Sequence, residues 1–191
     1  MFTADDLRAL ADAVADDWTA AADLDWSVPA GGLDWSCLAT ADHAVDCVYA
    51  PAFFLASGRL DSYPAAGGDL TLGERATPAA LVESLRIAVR ILTAVVATAD
   101  AATEAVLFGR IEPKVGRPPD FLPRAALELA LHAHDVGLGL GRVFVAPVEG
   151  AAHLRDHTAG WELWSRFDGP GLGSVDDPWA DLLAASGRSI P

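Results

Sequence analysis

The chain has a single lysine, Lys114, and its 13 basic residues are outnumbered by 27 acidic ones, which gives a formal net charge of −14. Proteins that follow nucleic-acid phosphates or bind anionic membrane surfaces need clustered Lys and Arg side chains. This charge balance argues against both kinds of partner, and we expect a small-molecule substrate instead. The sequence favours neither a monomer nor a homodimer.

Long hydrophobic runs are also missing. The most apolar helical segment, "LRIAVRILTAVVATA", is interrupted by Arg86 and Arg90 and leaves too few apolar residues to cross a bilayer. The first residues, "MFTADD", are acidic, whereas a secretory signal has a basic start followed by an apolar run. We therefore expect no transmembrane span, no signal peptide and a cytoplasmic location.

Cysteine is scarce, and its placement argues against a disulfide. Cys37 and Cys47 fall in one predicted helix, where ten residues span about 15 Å, too far for a disulfide bond. We expect two free thiols in a reducing compartment. The sequence also has no phosphate-binding loop, no serine nucleophile elbow and no Cys-x-x-Cys site.

Helical periodicity dominates what remains. The apolar spacing and the capping residues predict an all-α, up-and-down four-helix bundle, a single domain over residues 1–191 with its core in about 1–145 and a C-terminal helical extension in about 146–191. Only "RVFVAP" is typical of a strand. The predicted helix starts are Thr3, Ser36, Thr77-Pro78, a point near Pro123, and Pro147. Pro51 should kink or end the second helix. Residues 57–76 and 100–120 should form long connections.

The stretch "ELALHAHDVG" places four ionisable side chains in an apolar helix. On a helical wheel Glu128, His132 and Asp135 fall within roughly 60° of one another, and His134 lies about 120° from Glu128 and about 160° from His132. Glu128 and His132 therefore form an i, i+4 pair that could ligate a metal, with Asp135 either orienting a ligand or simply solvated. His134 is assigned to packing or to a pocket wall.

The third ligand must come from another helix, and His43 on the central second helix is the best candidate. Two His and one Glu form an established zinc set that also suits non-haem iron. The alternative is a hydrogen-bonded Glu–His pair beside an unrelated core histidine. Cys47, one turn after His43, could be a fourth ligand, a reactive thiol or inert packing.

Two further histidines and three basic loop residues are weaker candidates for a functional role. His153 and His157 form a second i, i+4 pair, but His157 lies between Trp161 and Trp164 on the wheel, which favours a core or pocket-lining role. The loop "FGRIEPKVGRPPD" carries Arg110, Lys114 and Arg117, which either form an anion-binding lid or are ordinary solvated charges.

Two segments resemble a known family. "LDWSCLATADHAVDC", with Trp35-Ser36 before His43, and "ELALHAHDVGLGLG", with Glu128 and His132, occur in the same order as in the mycothiol-dependent maleylpyruvate isomerases of the DinB-like superfamily, and "LLAASGR" follows near the end. The resemblance extends from the first helix to the C-terminus. The isomerase proper has an additional C-terminal domain for which this chain has no room, so we do not expect maleylpyruvate itself as the substrate.

The resemblance implies a four-helix bundle that holds a divalent metal at His43, Glu128 and His132, most often Zn, with Fe, Ni or Mn as other options. It also implies mycothiol as cosubstrate and a transferase or isomerase that acts on a small electrophile. Asp135, His157, Arg110 and Arg117 are then candidates for binding the cosubstrate or substrate. Two other interpretations stay open: hydrolytic or other non-thiol chemistry at the same metal, and a non-catalytic bundle that binds a small ligand or a partner.

Overall fold

The structure, a computed structural model, describes residues 1–65, 69–109 and 113–190. Over these residues the protein is mainly helical, as the sequence predicts, with six α-helices and one small β-hairpin. The α-helices are α1 (Ala4–Ala20), α2 (Cys37–Ser57), α3 (Pro78–Thr98), α4 (Phe121–Gly139), α5 (Val148–Thr158) and α6 (Pro178–Ala185), the strands are β1 (Ala105–Phe108) and β2 (Lys114–Gly116), and the 3₁₀ segments are Gly73–Arg75, Pro118–Asp120 and Glu162–Arg166.

Three predicted helix starts are confirmed by side-chain caps. The hydroxyls of Thr3, Ser36 and Thr77 each accept a hydrogen bond from the backbone N–H three residues further along. Each cap satisfies a backbone donor that has no partner inside the helix. The caps thereby fix where α1, α2 and α3 begin.

Pro51 lies inside α2 and does not end it. The helix continues to Ser57, where Gly58 follows in the left-handed conformation with a φ of 60°. Proline removes one backbone N–H from the helix, but Ala52, Phe54 and Leu55 beyond it remain buried. Burial of this final segment outweighs the lost hydrogen bond.

Helix α2 is the centre of the packing. It contacts α4 and α3 extensively, while α1 packs on α3 and α4. Side chains on opposite faces of α2, such as Val45 and Cys47, are both buried, as its two apolar faces predict. Helix α5 packs on α6 and also contacts α1 and α4. In the part of the chain that the structure describes, no helix has the length and apolar character needed to cross a bilayer.

The connection over residues 100–120 is more regular than the sequence predicts. It contains the antiparallel hairpin of β1 and β2, with Ala105 opposite Gly116 and Val106 opposite Val115. β1 is buried and packs against α2. The two strands are four and three residues long, too short to show the alternation by which strands are detected in a sequence.

The prediction of a strand at "RVFVAP" is wrong. Residues 142–147 belong to no strand, although Phe144 and Ala146 are buried and Val143 and Val145 are exposed. This alternation has the period of a strand, but within the described ranges the strand pairing is confined to the hairpin and one isolated bridge. Alternating burial along a segment shows that its side chains point to opposite sides. It does not show that the backbone is hydrogen-bonded to another strand.

The fifth helix ends before Trp161 and Trp164, the two tryptophans that the sequence pattern places on its wheel beside His157. Helix α5 stops at Thr158, Trp161 lies immediately before the following 3₁₀ segment, and Trp164 lies within it. The indole N–H of Trp164 donates to the Thr158 carbonyl at 2.9 Å. This hydrogen bond satisfies the buried indole N–H and holds the chain against the end of the helix.

His153 is placed by a contact with α1. Its Nδ1 lies 3.0 Å from Oδ1 of Asp6, and the other oxygen of this carboxylate, Oδ2, accepts hydrogen bonds from the backbone N–H and hydroxyl of Thr3. Burial opposes ionisation of Asp6, but the hydrogen bonds from Thr3 and His153 outweigh it and hold the pKa of this carboxyl below its ordinary 3.8. The ionised carboxylate therefore stabilises the fold above about pH 4, and this stabilisation is lost as the pH falls through the folded-state pKa.

Substituting Asp6→Asn should lower the free energy of unfolding by about 1 kcal/mol at pH 7, because it weakens the cap and the contact with His153. Urea titrations at several pH values should show that this difference shrinks below pH 4. Asp5→Asn is the matched control, since Asp5 lies in the same first turn and is ion-paired only with exposed Arg8 among the residues described. Equal effects of both substitutions would contradict the interpretation.

Candidate functional site

Helices α2 and α4 run antiparallel and bring His43 opposite His132. At one end, the Cys37 thiol lies 3.6 Å from the Val136 carbonyl oxygen. Further along α2 and back along α4, the imidazole rings of His43 and His132 are 5.3 Å apart between centroids. The sequence predicts a meeting of these two histidines, and the structure brings them into contact.

Glu128 joins the pair from one turn earlier on α4. Its Oε2 lies 3.6 Å from His132 Nε2, and its Oε1 accepts a hydrogen bond from Arg124 at 2.9 Å. The three residues predicted to ligate a metal thus lie side by side. As the side chains stand, no group of three or more His, Cys, Asp or Glu residues within the described ranges is arranged to hold a metal ion.

The chemistry of these donors nevertheless suits a metal. A tetrahedral zinc ion about 2.0 Å from each of two N or O ligands would hold those ligands roughly 3.3 Å apart. The 3.6 Å between Glu128 Oε2 and His132 Nε2 is close to that value. Arg124 donates to the other oxygen, Oε1, so Oε2 is the oxygen available to a metal.

Asp135 and Arg188 fix the orientation of His132. The Nδ1 of His132 lies 3.2 Å from Asp135 Oδ2, and Arg188 donates two hydrogen bonds, of 2.9 and 2.7 Å, to the same carboxylate. Burial opposes ionisation of Asp135, but the hydrogen bonds from His132 and Arg188 hold its pKa below the usual range. An ionised Asp135 favours the tautomer with the ring proton on Nδ1, in which Nε2 carries the lone pair that a metal would use.

Arg188→Gln should loosen this arrangement without removing any proposed ligand. We expect metal affinity, measured by competition with a chromogenic chelator, to fall by roughly 10- to 100-fold, the usual cost of losing an outer hydrogen-bonding partner. Arg142→Gln is the control, since Arg142 is likewise bound through two nitrogens to a carboxylate, that of Asp17, outside the site. An unchanged affinity in Arg188→Gln would show that His132 needs no such support.

Arg124 sets the charge of Glu128. Burial alone would raise the pKa of Glu128, but the positive charge of Arg124, with smaller contributions from His132 and His43, holds this pKa below its usual range. The guanidinium of Arg124 also lies 5.0 Å from the centroid of the Phe108 ring, within cation–π distance. Glu128 is therefore an anion in the folded protein and can act as a ligand or a hydrogen-bond acceptor.

The site opens into a cavity of about 340 Å³. His43, Cys47 and Glu128 line one part of it, and Arg124 and Arg166 contribute positive charge. The remaining walls are mostly apolar or aromatic, formed by residues that include Ala50, Pro51, Phe54, Tyr63, Phe108 and Leu163. A cavity that combines apolar and aromatic walls with convergent polar groups is typical of a small-molecule site.

A second cavity of about 230 Å³ adjoins the first, because Phe108, Leu163 and Arg166 line both. It lies between the hairpin and the segment after α5. Lys114 lines it and forms an ion pair of 3.1 Å with Glu162. Lys114 therefore faces a cavity, as an anion-binding role would require.

On the other side, His43 borders an open groove. Trp35, which is exposed, packs edge-on against the His43 ring at 5.2 Å between centroids. His43 and Asp46 line both this groove and the larger cavity. The imidazole of His43 therefore stands where solvent and cavity meet.

The other predicted residues lie away from this cluster. His134 is buried, packs edge-on against Trp179 and has a pKa lowered by burial, as a packing role predicts. His157 Nε2 lies 3.1 Å from Asp120 and its ring contacts Trp161. Arg117 is exposed beside Glu104 and lines neither cavity. Arg110 lies outside the described residues.

Sequence reasoning missed three arginines of the site. Arg124 is four residues before Glu128, so the helical spacing alone could have identified it. Arg166 and Arg188 come from segments remote in the chain, which the tertiary fold brings to the cavity and to Asp135. Comparisons of this chain with protein-family models, with curated proteins and with solved structures found no significant match.

Proposed function

We propose that this protein is a metal-dependent enzyme that uses a low-molecular-weight thiol to transform a small electrophile, by S-transfer or by isomerisation. The observation that carries the proposal is the juxtaposition of His43, Glu128 and His132 from two antiparallel helices at the edge of a substrate-sized cavity. The sequence resemblance to the mycothiol-dependent family supports mycothiol as the thiol. It also supports a DinB-like bundle as the description of the packed helices α1 to α4.

In this proposal His43, Glu128 and His132 hold the divalent metal. A bound zinc ion would act as a Lewis acid and lower the pKa of the thiol. Asp135, held by Arg188, keeps the proton of His132 on Nδ1 so that Nε2 can donate its lone pair. Arg124 keeps Glu128 ionised until it is needed as a ligand.

The cavity residues bind the electrophile. The rings of Phe54, Tyr63 and Phe108 exclude water, which strengthens polar interactions inside. Arg124 and Arg166 line the cavity and bring N–H donors to it, so we expect a carbonyl or a related oxygen next to the reacting carbon.

Elemental analysis of the purified protein is the first test, and about one equivalent of zinc, iron, nickel or manganese per chain is expected. Metal-loaded protein is then incubated with mycothiol and an activated alkyl or aryl halide. S-transfer joins the thiol sulfur to the carbon that loses the halide, and the thiol proton leaves with the halide. Product should form in proportion to enzyme and only when thiol is present.

The outcomes separate the candidate functions. Turnover of an electrophile in the absence of thiol would favour hydrolytic or other non-thiol chemistry at the same site. Protein that contains no metal and cannot be loaded with any would overturn the enzymatic proposal and favour a bundle that binds a small ligand or a partner.

A further inference from the structure

We propose that Cys47 is a fourth donor to the metal of this site, so that the ligand set is His43, Cys47, Glu128 and His132. This inference rests on the proposed metal site and extends it. With four protein donors, the cosubstrate thiol would bind as a fifth ligand or displace one of the four. It follows from the register of two helices, from one interatomic distance and from the position of Cys47 in the cavity wall.

The register places Cys47 opposite Glu128. On α2, Cys47 follows His43 by one turn, and on the antiparallel α4, Glu128 precedes His132 by one turn. Since the rings of His43 and His132 face each other, the residues one turn further along α2 and one turn back along α4 also face each other. Cys47 and Glu128 accordingly line the same cavity.

The distance between sulfur and nitrogen suits two ligands of one ion. His43 Nε2 lies 3.5 Å from Cys47 Sγ. A tetrahedral zinc ion about 2.0 Å from a nitrogen and about 2.3 Å from a sulfur would hold these donors roughly 3.5 Å apart. The second i, i+4 pair of the site, Glu128 and His132, has a similar separation of 3.6 Å between its donor atoms.

The surroundings of Cys47 differ from those of Cys37. Cys47 is almost fully buried yet reaches the cavity beside the positive charge of Arg124. Cys37 is fully buried against the carbonyl oxygens of Pro29 and Val136 and lines none of the cavities described above. The Cys47 thiol therefore lies where it could bind the proposed metal, whereas the Cys37 thiol does not and serves as a control within the same protein.

A sulfur donor would also narrow the choice of metal. Thiolate ligands favour zinc, whereas manganese and magnesium prefer oxygen ligands. With Cys47 in the set, the site should select zinc over manganese strongly. Competition between these two ions should reveal the contribution of the sulfur independently of any enzymatic activity.

Cobalt substitution tests the inference directly. Co²⁺ bound by a thiolate absorbs in the near ultraviolet through sulfur-to-cobalt charge transfer, whereas Co²⁺ bound by N and O donors alone lacks this band. The wild-type protein and Cys37→Ser should both show the band on titration with Co²⁺. Cys47→Ser should bind Co²⁺ without the band and should bind Zn²⁺ more weakly by at least about tenfold.

Each result decides a different proposal. Cobalt bound to the wild-type protein without the charge-transfer band, or a band retained in Cys47→Ser, would overturn the role of Cys47 and leave the proposed function intact. Failure of the wild-type protein to bind either Co²⁺ or Zn²⁺ would overturn both. Circular dichroism of Cys47→Ser should match the wild type, which confirms that a lost band reports the missing sulfur.

Discussion

Replacing His132 with alanine should reduce the bound metal from about one equivalent per chain to a trace. His132 supplies a proposed ligand nitrogen whose orientation is fixed by Asp135 and Arg188, and alanine offers no donor atom in its place. The loss of affinity should exceed the roughly 10- to 100-fold that the removal of an outer hydrogen bond costs. His43→Ala should have a similar effect, and metal content after dialysis against a weak chelator measures both.

His134→Ala is the control for these ligand variants. His134 lies on the same helix, but it is buried against Trp179 on another face. We expect this variant to lose some stability, because the substitution leaves a cavity, and to keep its metal. Loss of metal from His134→Ala together with retention in His132→Ala would contradict the assignment of the site.

Gly139→Ala should destabilise the protein by about 2 to 4 kcal/mol, the upper range for overpacking in a rigid interior. A methyl group at this position would overlap the Pro29 carbonyl oxygen and the Cys37 sulfur, and would crowd the Ala30 backbone. These atoms cannot move easily, because the backbone N–H groups of Ala30 and Cys37 are hydrogen-bonded to carbonyls of the same segment. The midpoint of thermal unfolding should fall by roughly 5 to 15 °C.

Gly32→Ala is the matched control for Gly139→Ala. Gly32 lies in the same segment before α2, and a methyl group there would meet no atom within 4 Å. We expect its free energy of unfolding to stay within about 0.5 kcal/mol of the wild type. A similar loss in both variants would show that the backbone conformation of glycine, not the close approach of α4, limits this region.

A substitution at Gly139 should also affect the proposed metal site. Gly139 is the last residue of α4, and it packs where α2 begins. This contact sets the relative position of the two helices and therefore the register that pairs His43 with His132. We expect Gly139→Ala to weaken metal binding as well as stability, although it lies about two turns from His132 along α4.

Within each helix the sequence was informative. The capping threonines and serine, the proline at the start of α3 and the apolar stripes predicted helices α1 to α3 within a few residues, because capping and periodicity act between residues close in the chain. The same reasoning placed Glu128 and His132 on one face and His134 on another. It failed for the hairpin and for "RVFVAP", where strand pairing depends on partners that local patterns do not specify.

The sequence by itself determined the helical character, the acidic charge, the i, i+4 pairs and the resemblance on which the choice of site depends. The tertiary structure alone decided that α2 and α4 pack antiparallel with His43 opposite His132, that Arg188 reaches Asp135, and that Arg124 and Arg166 border one cavity. The physical reason is the distance along the chain over which each kind of interaction acts. Capping and helical periodicity are local, whereas the register between helices is set by the packing of the whole core, to which every element contributes.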